Sequence, residues 1–307
     1  MRKAYVIPND GNVHHYTDTG GLIGIIESEH LWATNIQFLN DSLEYDSGLL
    51  RIASNLRQAV ERINRPDSKI PFTTELKDSV ESSIRILEGI GVRAKEQQFI
   101  CCFSRYRDDL SQWRGYAREG YCITFDEASL TKSVRESQPD ERSVRHGNVS
   151  YGDAYDWAYG MNVDAVLAGM HDILHNNDKG ADEYGVSADD PNFGAMVREN
   201  NRSGLASLLC VTRFQDSIPF LKEDGFSDEQ EMRIGVSHPK EIKFRASTIG
   251  PMPYCELRFD PKSIKAITVG PGLNIELRTA TLEYLLAQKF GSDHNIEVKK
   301  TELSFRG

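Results

Sequence analysis

The stretch QFICCFSRYRDDLSQWRGYAREGYCITFD, residues 98–126, decides the fold. Its two ends, QFICCFS (98–104) and GYCITFD (120–126), are short apolar runs whose composition and alternation are typical of buried strands. Between them, the residues from about Leu110 to Ala117 have the pattern of a short helix. Two strands joined by a short helical connection predict the centre of a β-sheet.

The residues before this stretch predict a strand, a helix and a second extended segment. NVHHYT (12–17) reads as a strand, and GGLIGIIESE (20–29) places its apolar residues on one helical face. LWATNIQF (31–38) is then extended. Next, Asp41 and Glu44 have the spacing of a capping box, which predicts a long helix from about residue 42.

Helices dominate two longer segments. The helix that starts near residue 42 is expected to end near Asn64, and a second helix follows from Thr74 to about Gln97. Another mostly helical segment covers about 153–210 and contains a polar stretch, residues 175–192, that predicts a loop.

Strands return near the end of the chain, at 231–236, 254–260 and 264–270. A helix from Ile275 to about Phe290 and a tail strand follow. This order favours a single α+β domain over residues 1–307, with a central mixed or antiparallel sheet and helical insertions at about 42–97 and 153–210.

The composition excludes several function classes. The chain has 307 residues, and 46 acidic against 36 basic side chains give a net charge of -10. This charge repels phosphate backbones and anionic membranes, so a nucleic-acid contact needs a local basic patch. No apolar run reaches the roughly 18 residues of a membrane helix, and the N-terminus lacks a signal-peptide pattern, so we expect a cytoplasmic protein with no membrane contact.

The five cysteines do not predict a metal site. Cys101 and Cys102 are adjacent, and the others lack zinc-ligand spacing. Small buried apolar residues are the simpler interpretation.

Three groups of residues are candidates for chemistry. His14 and His15 are neighbours in a strand, so they point to opposite faces and at most one of them faces a given pocket. The spacing also fits a surface histidine beside a partly buried one.

Glu229 and Glu231 are two apart, which in a strand places both carboxylates in one cleft. An exposed edge strand with both acids solvated and paired with Arg233 explains the same spacing.

The third group follows the first strand of the central stretch. Ser104 ends that strand, and Trp113 and Tyr116 lie three residues apart on one side of a helical turn. The two rings can form a flat wall for a planar ligand or pack in the core.

The chain resembles a bacterial domain-of-unknown-function family, numbered 2971. The resemblance rests on an ordered series over about residues 12–272: HHYT, LIGIIES, LWATNIQFLND, FICCFSRYRDDLSQWRGYA, GYCITFD, DEQEMRIGV and FDPKSIKAITVGPG. More distantly, HYT followed by a helix and LWA is similar to the first strand, helix and strand of ADP-ribosyltransferases. In that superfamily a late strand or its leading turn carries the catalytic glutamate, often with Glu or Gln two positions earlier.

This second resemblance implies an ADP-ribosyltransferase-like sheet and NAD as substrate. Glu231 would stabilise the cationic ribose, and Glu229 would orient the acceptor. His15 would hold NAD with help from Thr17, and Trp113 or Tyr116 would stack on nicotinamide. The residues implied to bind NAD are His15, Tyr16, Thr17, Ser104, Arg105, Trp113, Arg114 and Tyr116.

Three functions follow as expectations. The first is an enzyme that cleaves NAD and transfers ADP-ribose to a protein, a nucleic acid or water, as a toxin or phage-defence effector. The second is a module that binds a nucleotide or a partner on the same fold without chemistry. The third is a metal-dependent nuclease that uses Asp41, Glu44, Glu229 and Glu231, although a capping box already explains the first pair.

Overall fold

The structure is a computed structural model that describes residues 10–39, 44–64, 70–140, 143–152, 163–175 and 201–303. The predicted N-cap Asp41 and residues 176–192 of the predicted polar loop lie outside these ranges. The chain divides into two compact units. Unit 1 comprises residues 1–35, 99–149 and 225–307, and unit 2 comprises residues 36–98 and 150–224. Most of both predicted helical insertions falls in unit 2.

The strands, in chain order, are β1 Asn12–Thr17, β2 His30–Asn35, β3 Gln98–Ser104, β4 Tyr121–Asp126, β5 Val144–Asn148, β6 Ser150–Tyr151, β7 Leu221–Lys222, β8 Glu231–Ser237, β9 Lys243–Ser247, β10 Gly250–Arg258, β11 Ile264–Val269 and β12 Glu297–Lys300. The helices are α1 Thr19–Ser28, α2 Glu44–Ile63, α3 Thr74–Glu96, α4 Leu110–Tyr116, α5 Glu127–Ser137, α6 Val163–His175, α7 Arg202–Gln215 and α8 Ile275–Phe290.

The opening of unit 1 forms because its helix has clear end signals. The side chain of Asp18 accepts a hydrogen bond from the Gly21 N–H at 2.7 Å, which caps the first turn of α1. Glu29, with a left-handed φ of 58°, ends the helix and turns the chain into β2. β2 is shorter than predicted, because residues 36–38 of the expected extended segment form a turn of 3₁₀ helix.

Unit 1 is built on a mixed sheet of ten strands. Its main strand order is β12-β11-β4-β1-β3-β2-β10-β9, and β8 pairs with both β3 and β5. β11 and β12 are parallel, whereas the pairs β1–β3, β1–β4, β2–β10 and β4–β11 are antiparallel. The predicted mixed α+β class is therefore confirmed, and β1, β3 and β4 lie at its centre.

One face of this sheet carries the main apolar core. Phe99, Cys101 and Phe103 alternate along β3 and join this core, and so do Met232 and Ile234 on β8. Since successive side chains of a strand point to opposite faces, the residues between them point to the other face of the sheet.

Unit 2 is mainly helical. Helices α2 and α3 pack on each other, as the predicted pair of insertion helices suggests, and α7 packs on α3 and α6. Serines line the contact between α3 and α7: the Ser79 and Ser203 hydroxyls lie 2.9 Å apart, and the Ser207 hydroxyl donates to the Ser79 carbonyl oxygen at 3.1 Å. Small side chains allow these helices to approach closely while their hydroxyl groups remain hydrogen-bonded. In the described part of the chain, no helix combines the length and apolar character needed to cross a bilayer.

Candidate functional site

The two adjacent histidines of β1 point to opposite faces of the sheet. His14 pairs across the strands with Thr124 of β4 and with Ser104 of β3. Its Nδ1 lies 3.0 Å from the Thr124 Oγ1. His15 points the other way, and its Nδ1 lies 3.0 Å from the Cys102 carbonyl oxygen of β3. The His15 side chain thus satisfies a backbone carbonyl near the point where β1 meets β3.

Both imidazoles are held neutral at physiological pH. Burial lowers the pKa of His14 to about 4. Burial also lowers the pKa of His15, although the hydrogen bond to Cys102 opposes this shift, and the charge of Arg245 lowers the pKa further. These histidines therefore act as hydrogen-bonding groups rather than as cations.

Glu231 is a buried carboxylate in an ion pair. It starts β8, and its Oε2 accepts from the Arg233 Nη2 at 2.6 Å. The side chains of Glu231 and Arg233 are 9% and 1% exposed. Because Met232 lies in the apolar core, both members of the pair point to the opposite face. The predicted pairing of Arg233 with an acid is present, but it lies in the interior and not on an exposed edge.

Glu229 does not share a strand face with Glu231, which corrects the prediction from their spacing. It ends a 3₁₀ helix, Asp224–Glu229, and Gln230 then takes a left-handed φ of 44° before β8 begins. The turn still brings Glu229 against other predicted residues. Its Oε1 accepts from the Tyr116 hydroxyl at 3.2 Å, and its carbonyl oxygen accepts from the Ser104 hydroxyl at 3.2 Å.

The end of β3 joins these groups. The Arg105 N–H donates to the Gln230 carbonyl oxygen at 2.9 Å, which places the start of β8 beside the end of β3. His15 contacts the same strand at Cys102, three residues earlier. Three residues of strand span about 10 Å. The two side chains nevertheless point to different faces of the sheet, because the His15 ring lies 5.6 Å from the core ring of Phe103, whereas Glu231 points away from the core.

Two of the predicted aromatic residues are used in packing. Trp113 is buried, its ring meets Tyr16 edge-on at 4.8 Å, and its Nε1 donates to Asp108 at 2.7 Å. The Tyr16 hydroxyl donates to the Tyr106 carbonyl oxygen at 2.7 Å. Tyr116, by contrast, is 42% exposed and is the member of the predicted aromatic pair that a ligand can reach.

Arg105, which was predicted to bind NAD, already has partners for its guanidinium. Its two Nη atoms donate to the carboxylate of Glu127 at 2.6 and 3.0 Å. Its Nε and Nη2 donate to the Asn148 side chain, and Nη1 also reaches the Asn12 carbonyl oxygen. This arrangement fastens the end of β3 to α5 and β5. Arg114, which was also predicted to bind NAD, lies exposed in the last turn of α4.

Thr17 lies at a close approach of two backbone segments. A Cβ atom on Gly120 would lie 2.2 Å from the Thr17 carbonyl oxygen, and one on Gly21 would lie 2.0 Å from its Oγ1. Only glycine fits these two positions without a shift of the neighbouring atoms. Thr17 therefore has tight packing on both sides at the end of β1.

The described residues contain no group of three or more His, Cys, Asp or Glu side chains suited to a metal ion. Of the predicted nuclease set, Asp41 and the side chain of Glu44 lie outside the described residues. None of the five cysteines forms a disulfide bond. Burial raises the pKa of Cys101 and of Cys255 to about 12, so neither thiol is ionised at neutral pH.

Residues 112–234 match the model of the family described as "Protein of unknown function (DUF2971)". Over these residues the chain is similar to that family. It covers α4, β4 and the start of β8, and so includes Tyr116, Glu229 and Glu231. No curated protein and no solved structure matches the chain.

Proposed function

We propose that the protein is an ADP-ribosyltransferase-like enzyme that cleaves NAD between nicotinamide and ribose. It then transfers ADP-ribose to a macromolecule or to water. The observation that carries this proposal is the buried carboxylate of Glu231 beside the end of β3, held by Arg233 at 2.6 Å and close to the Glu229–Tyr116 pair. The opening order of strand, helix and strand, β1–α1–β2, supports the same assignment.

The chemistry needs a fixed negative charge near the reacting ribose. The bond between C1′ and the nicotinamide nitrogen breaks, and nicotinamide leaves as a neutral molecule with the electron pair of that bond. The ribose becomes an oxocarbenium ion, which the Glu231 carboxylate stabilises in a site with little water. An acceptor oxygen or nitrogen forms the new bond to C1′ and releases its proton to Glu229 or to solvent.

The remaining predicted residues divide between binding and support. Ser104 is the hydrogen-bonding group for the ribose end of NAD on the face of Glu231, and His15 and Thr17 support β1 from its other face. Tyr116 is the exposed ring for nicotinamide, and Arg114 lies on the same helix. Tyr16, Trp113 and Arg105 support the site through packing and hydrogen bonds.

The test is release of nicotinamide from NAD, compared between the wild-type protein and Glu231→Gln. Gln keeps the size of the side chain and an oxygen that accepts from Arg233, but it removes the charge. Glu256→Gln is a matched control, because Glu256 is a partly exposed acid in β10 that pairs with Lys243 at 2.7 Å. Release by wild type and Glu256→Gln, with loss in Glu231→Gln, supports the proposal, whereas equal background release from all three contradicts it.

A cellular comparison tests the toxin or phage-defence role that the resemblance implies. Expression of wild type should slow growth, and Glu231→Gln should not, because the substitution removes NAD cleavage. Equal growth of the two strains would contradict a toxic role for this site.

A second candidate, binding without chemistry, is favoured by the same ion pair. Arg233 offsets the charge of Glu231, which gives the carboxylate a structural role in the sheet. This candidate predicts that a nucleotide raises the melting temperature through binding to the native state, while no nicotinamide is released. An unchanged melting temperature with a panel of nucleotides would contradict it.

A further inference from the structure

β9 lies at one end of the main strand order of the sheet, next to β10. The two strands pair antiparallel from Lys243 opposite Tyr254 to Ser247 opposite Gly250. In the described ranges, no strand pairs with the other edge of β9. An edge of this kind presents peptide N–H and C=O groups that can pair with a strand from another chain.

Two prolines of β10 determine which peptide groups of β9 face outward. Pro253 pairs with Phe244, and Pro251 pairs with Ala246. Because proline has no N–H, these pairs occupy the positions of the ladder that exchange no hydrogen bonds, and the hydrogen-bonded pairs alternate with them. The N–H and C=O groups of Phe244 and Ala246 therefore point away from β10. No described residue forms a hydrogen bond with these peptide groups.

The side chain of Arg245, which lies between these two residues, has no acidic partner in the described part of the chain. Its Nη2 donates to the Thr34 hydroxyl at 2.9 Å, and its guanidinium carbon lies 5.2 Å from the centroid of the Trp32 ring. The other cation of the strand, Lys243, is paired with Glu256 at 2.7 Å. Burial lowers the pKa of Arg245, so this group has lost hydration without gaining an ion pair. A carboxylate on an added strand would supply that ion pair.

The opposite face of β9 is apolar. Phe244 lies on the same face as its partner Pro253 and as Cys255 and Leu257, which follow in β10 and belong to the main core. Phe244 is nevertheless 66% exposed. An apolar side chain opposite Phe244 on an added strand would therefore extend the core over this ring.

The strand at the other end of the sheet, β12, lacks this combination. Its two lysines, Lys299 and Lys300, are paired with Glu297 at 2.9 Å and with Glu276 at 2.5 Å. The cations of that edge are thus already matched by acids of the same chain, whereas Arg245 on β9 is not.

We propose that β9 binds an extended segment of a partner protein by strand addition, with an acidic residue of that segment opposite Arg245 and apolar residues opposite Phe244 and Ala246. The outward peptide groups of Phe244 and Ala246 supply the main-chain hydrogen bonds, and the central carboxylate supplies specificity. The net charge of -10 repels an acidic segment from the molecule as a whole, so recognition depends on this local cation. A second copy of β9 fits less well, because full antiparallel pairing places Arg245 opposite Arg245. This proposal does not depend on NAD cleavage.

The probe is the peptide Thr-Val-Glu-Val-Thr, compared with a matched peptide in which Lys replaces the Glu. Each is titrated to millimolar concentration into the full chain, and the amide NMR signals give the Kd and the strand that is contacted. Wild type should bind the Glu peptide at least about tenfold more tightly than the Lys peptide, because the second peptide replaces an ion pair with a like-charge contact. The largest changes in chemical shift should occur in β9.

Three variants and a control separate the charge from the backbone contacts. Arg245→Gln should bind the Glu peptide about 10 to 100 times more weakly, which is the effect of one charge-assisted contact. Arg245→Glu should prefer the Lys peptide. Ala246→Pro removes an outward N–H that the sheet does not use, so it should fold and bind neither peptide. Arg258→Gln, which removes an exposed arginine at the end of β10, should bind like wild type.

Several results would overturn the inference. They are a wild type that binds neither peptide, equal Kd values for the Glu and Lys peptides, and unchanged binding in both Arg245→Gln and Ala246→Pro. A wild type that sediments as a dimer, with a monomeric Ala246→Pro, would show that a second copy covers β9 instead. If the Arg245 variants fail to fold by circular dichroism, the two peptides on wild type and on Ala246→Pro decide.

Discussion

Removal of Arg233 should destabilise the protein far more than removal of an exposed member of an ion pair. The Arg233 Nη2 lies 2.6 Å from the Glu231 Oε2, and the two side chains are 1% and 9% exposed. Arg233→Met would leave a carboxylate in the interior without this partner, which costs about 3–5 kcal/mol in free energy of unfolding. Lys243→Met, which breaks a pair whose members are 37% and 28% exposed, should cost much less, because solvent screens this pair.

Urea unfolding followed by far-UV circular dichroism measures both values. A double-mutant cycle adds Glu231→Gln and the Arg233→Met, Glu231→Gln double variant. The double variant should be more stable than the sum of the two single losses predicts, because neither charge is then left without the other. A loss under about 1 kcal/mol for Arg233→Met, or strict additivity in the cycle, would refute the assignment of Glu231 and Arg233 as a coupled buried pair.

Three further outcomes are expected. The free energy of unfolding should fall by about 3 kcal/mol as the pH drops from about 6.5 to 4, because the unfolded state protonates His14 near pH 6.5 and the folded state only near pH 4. Each pKa unit corresponds to about 1.4 kcal/mol. In urea unfolding at several pH values, the stability of His14→Asn should depend much less on pH. Gly120→Ala should destabilise the protein by about 1–3 kcal/mol, because its Cβ would meet a backbone oxygen at 2.2 Å. Gly115→Ala, with open space around the new Cβ, should be tolerated. Equal melting temperatures of the two variants would contradict this prediction. Tyr116→Ala should raise the KM for NAD about twofold to tenfold, since a ring contact contributes about 0.5–1.5 kcal/mol. Tyr116→Phe keeps the ring and should leave the KM unchanged. The same KM in both variants would argue against a role of the Tyr116 ring in nicotinamide binding.

The central elements of the fold could be predicted because their signals are local. The alternation in residues 12–17, 98–104 and 264–270 matches β1, β3 and β11 closely, and the helix predicted from Ile275 to about Phe290 is α8. The missed strand β9 and the early part of β10 contain little apolar alternation, and Pro251 and Pro253 argue against a strand in sequence. They form because β9 and the early part of β10 pair with each other, next to the part of β10 that pairs with β2, and this pairing supplies what local propensity lacks.

The site was harder to predict, because partners far apart in sequence determine its geometry. Nothing in the sequence indicates that Gln230 takes a left-handed conformation, so Glu229 was placed on the strand face of Glu231. Likewise, the occupation of Arg105 by Glu127 and Asn148 depends on pairing across the sheet. Period two places Trp32 and Thr34 on one face of β2, but only the fold brings Arg245 against them.

The most direct measurement of the central claim is the rate of nicotinamide release in a single turnover at saturating NAD, for wild type and Glu231→Gln. If the carboxylate stabilises the cationic ribose, this rate should fall by about a hundredfold or more, while the affinity for ADP-ribose stays close to that of wild type. A folded Glu231→Gln protein that releases nicotinamide at the wild-type rate would contradict the account.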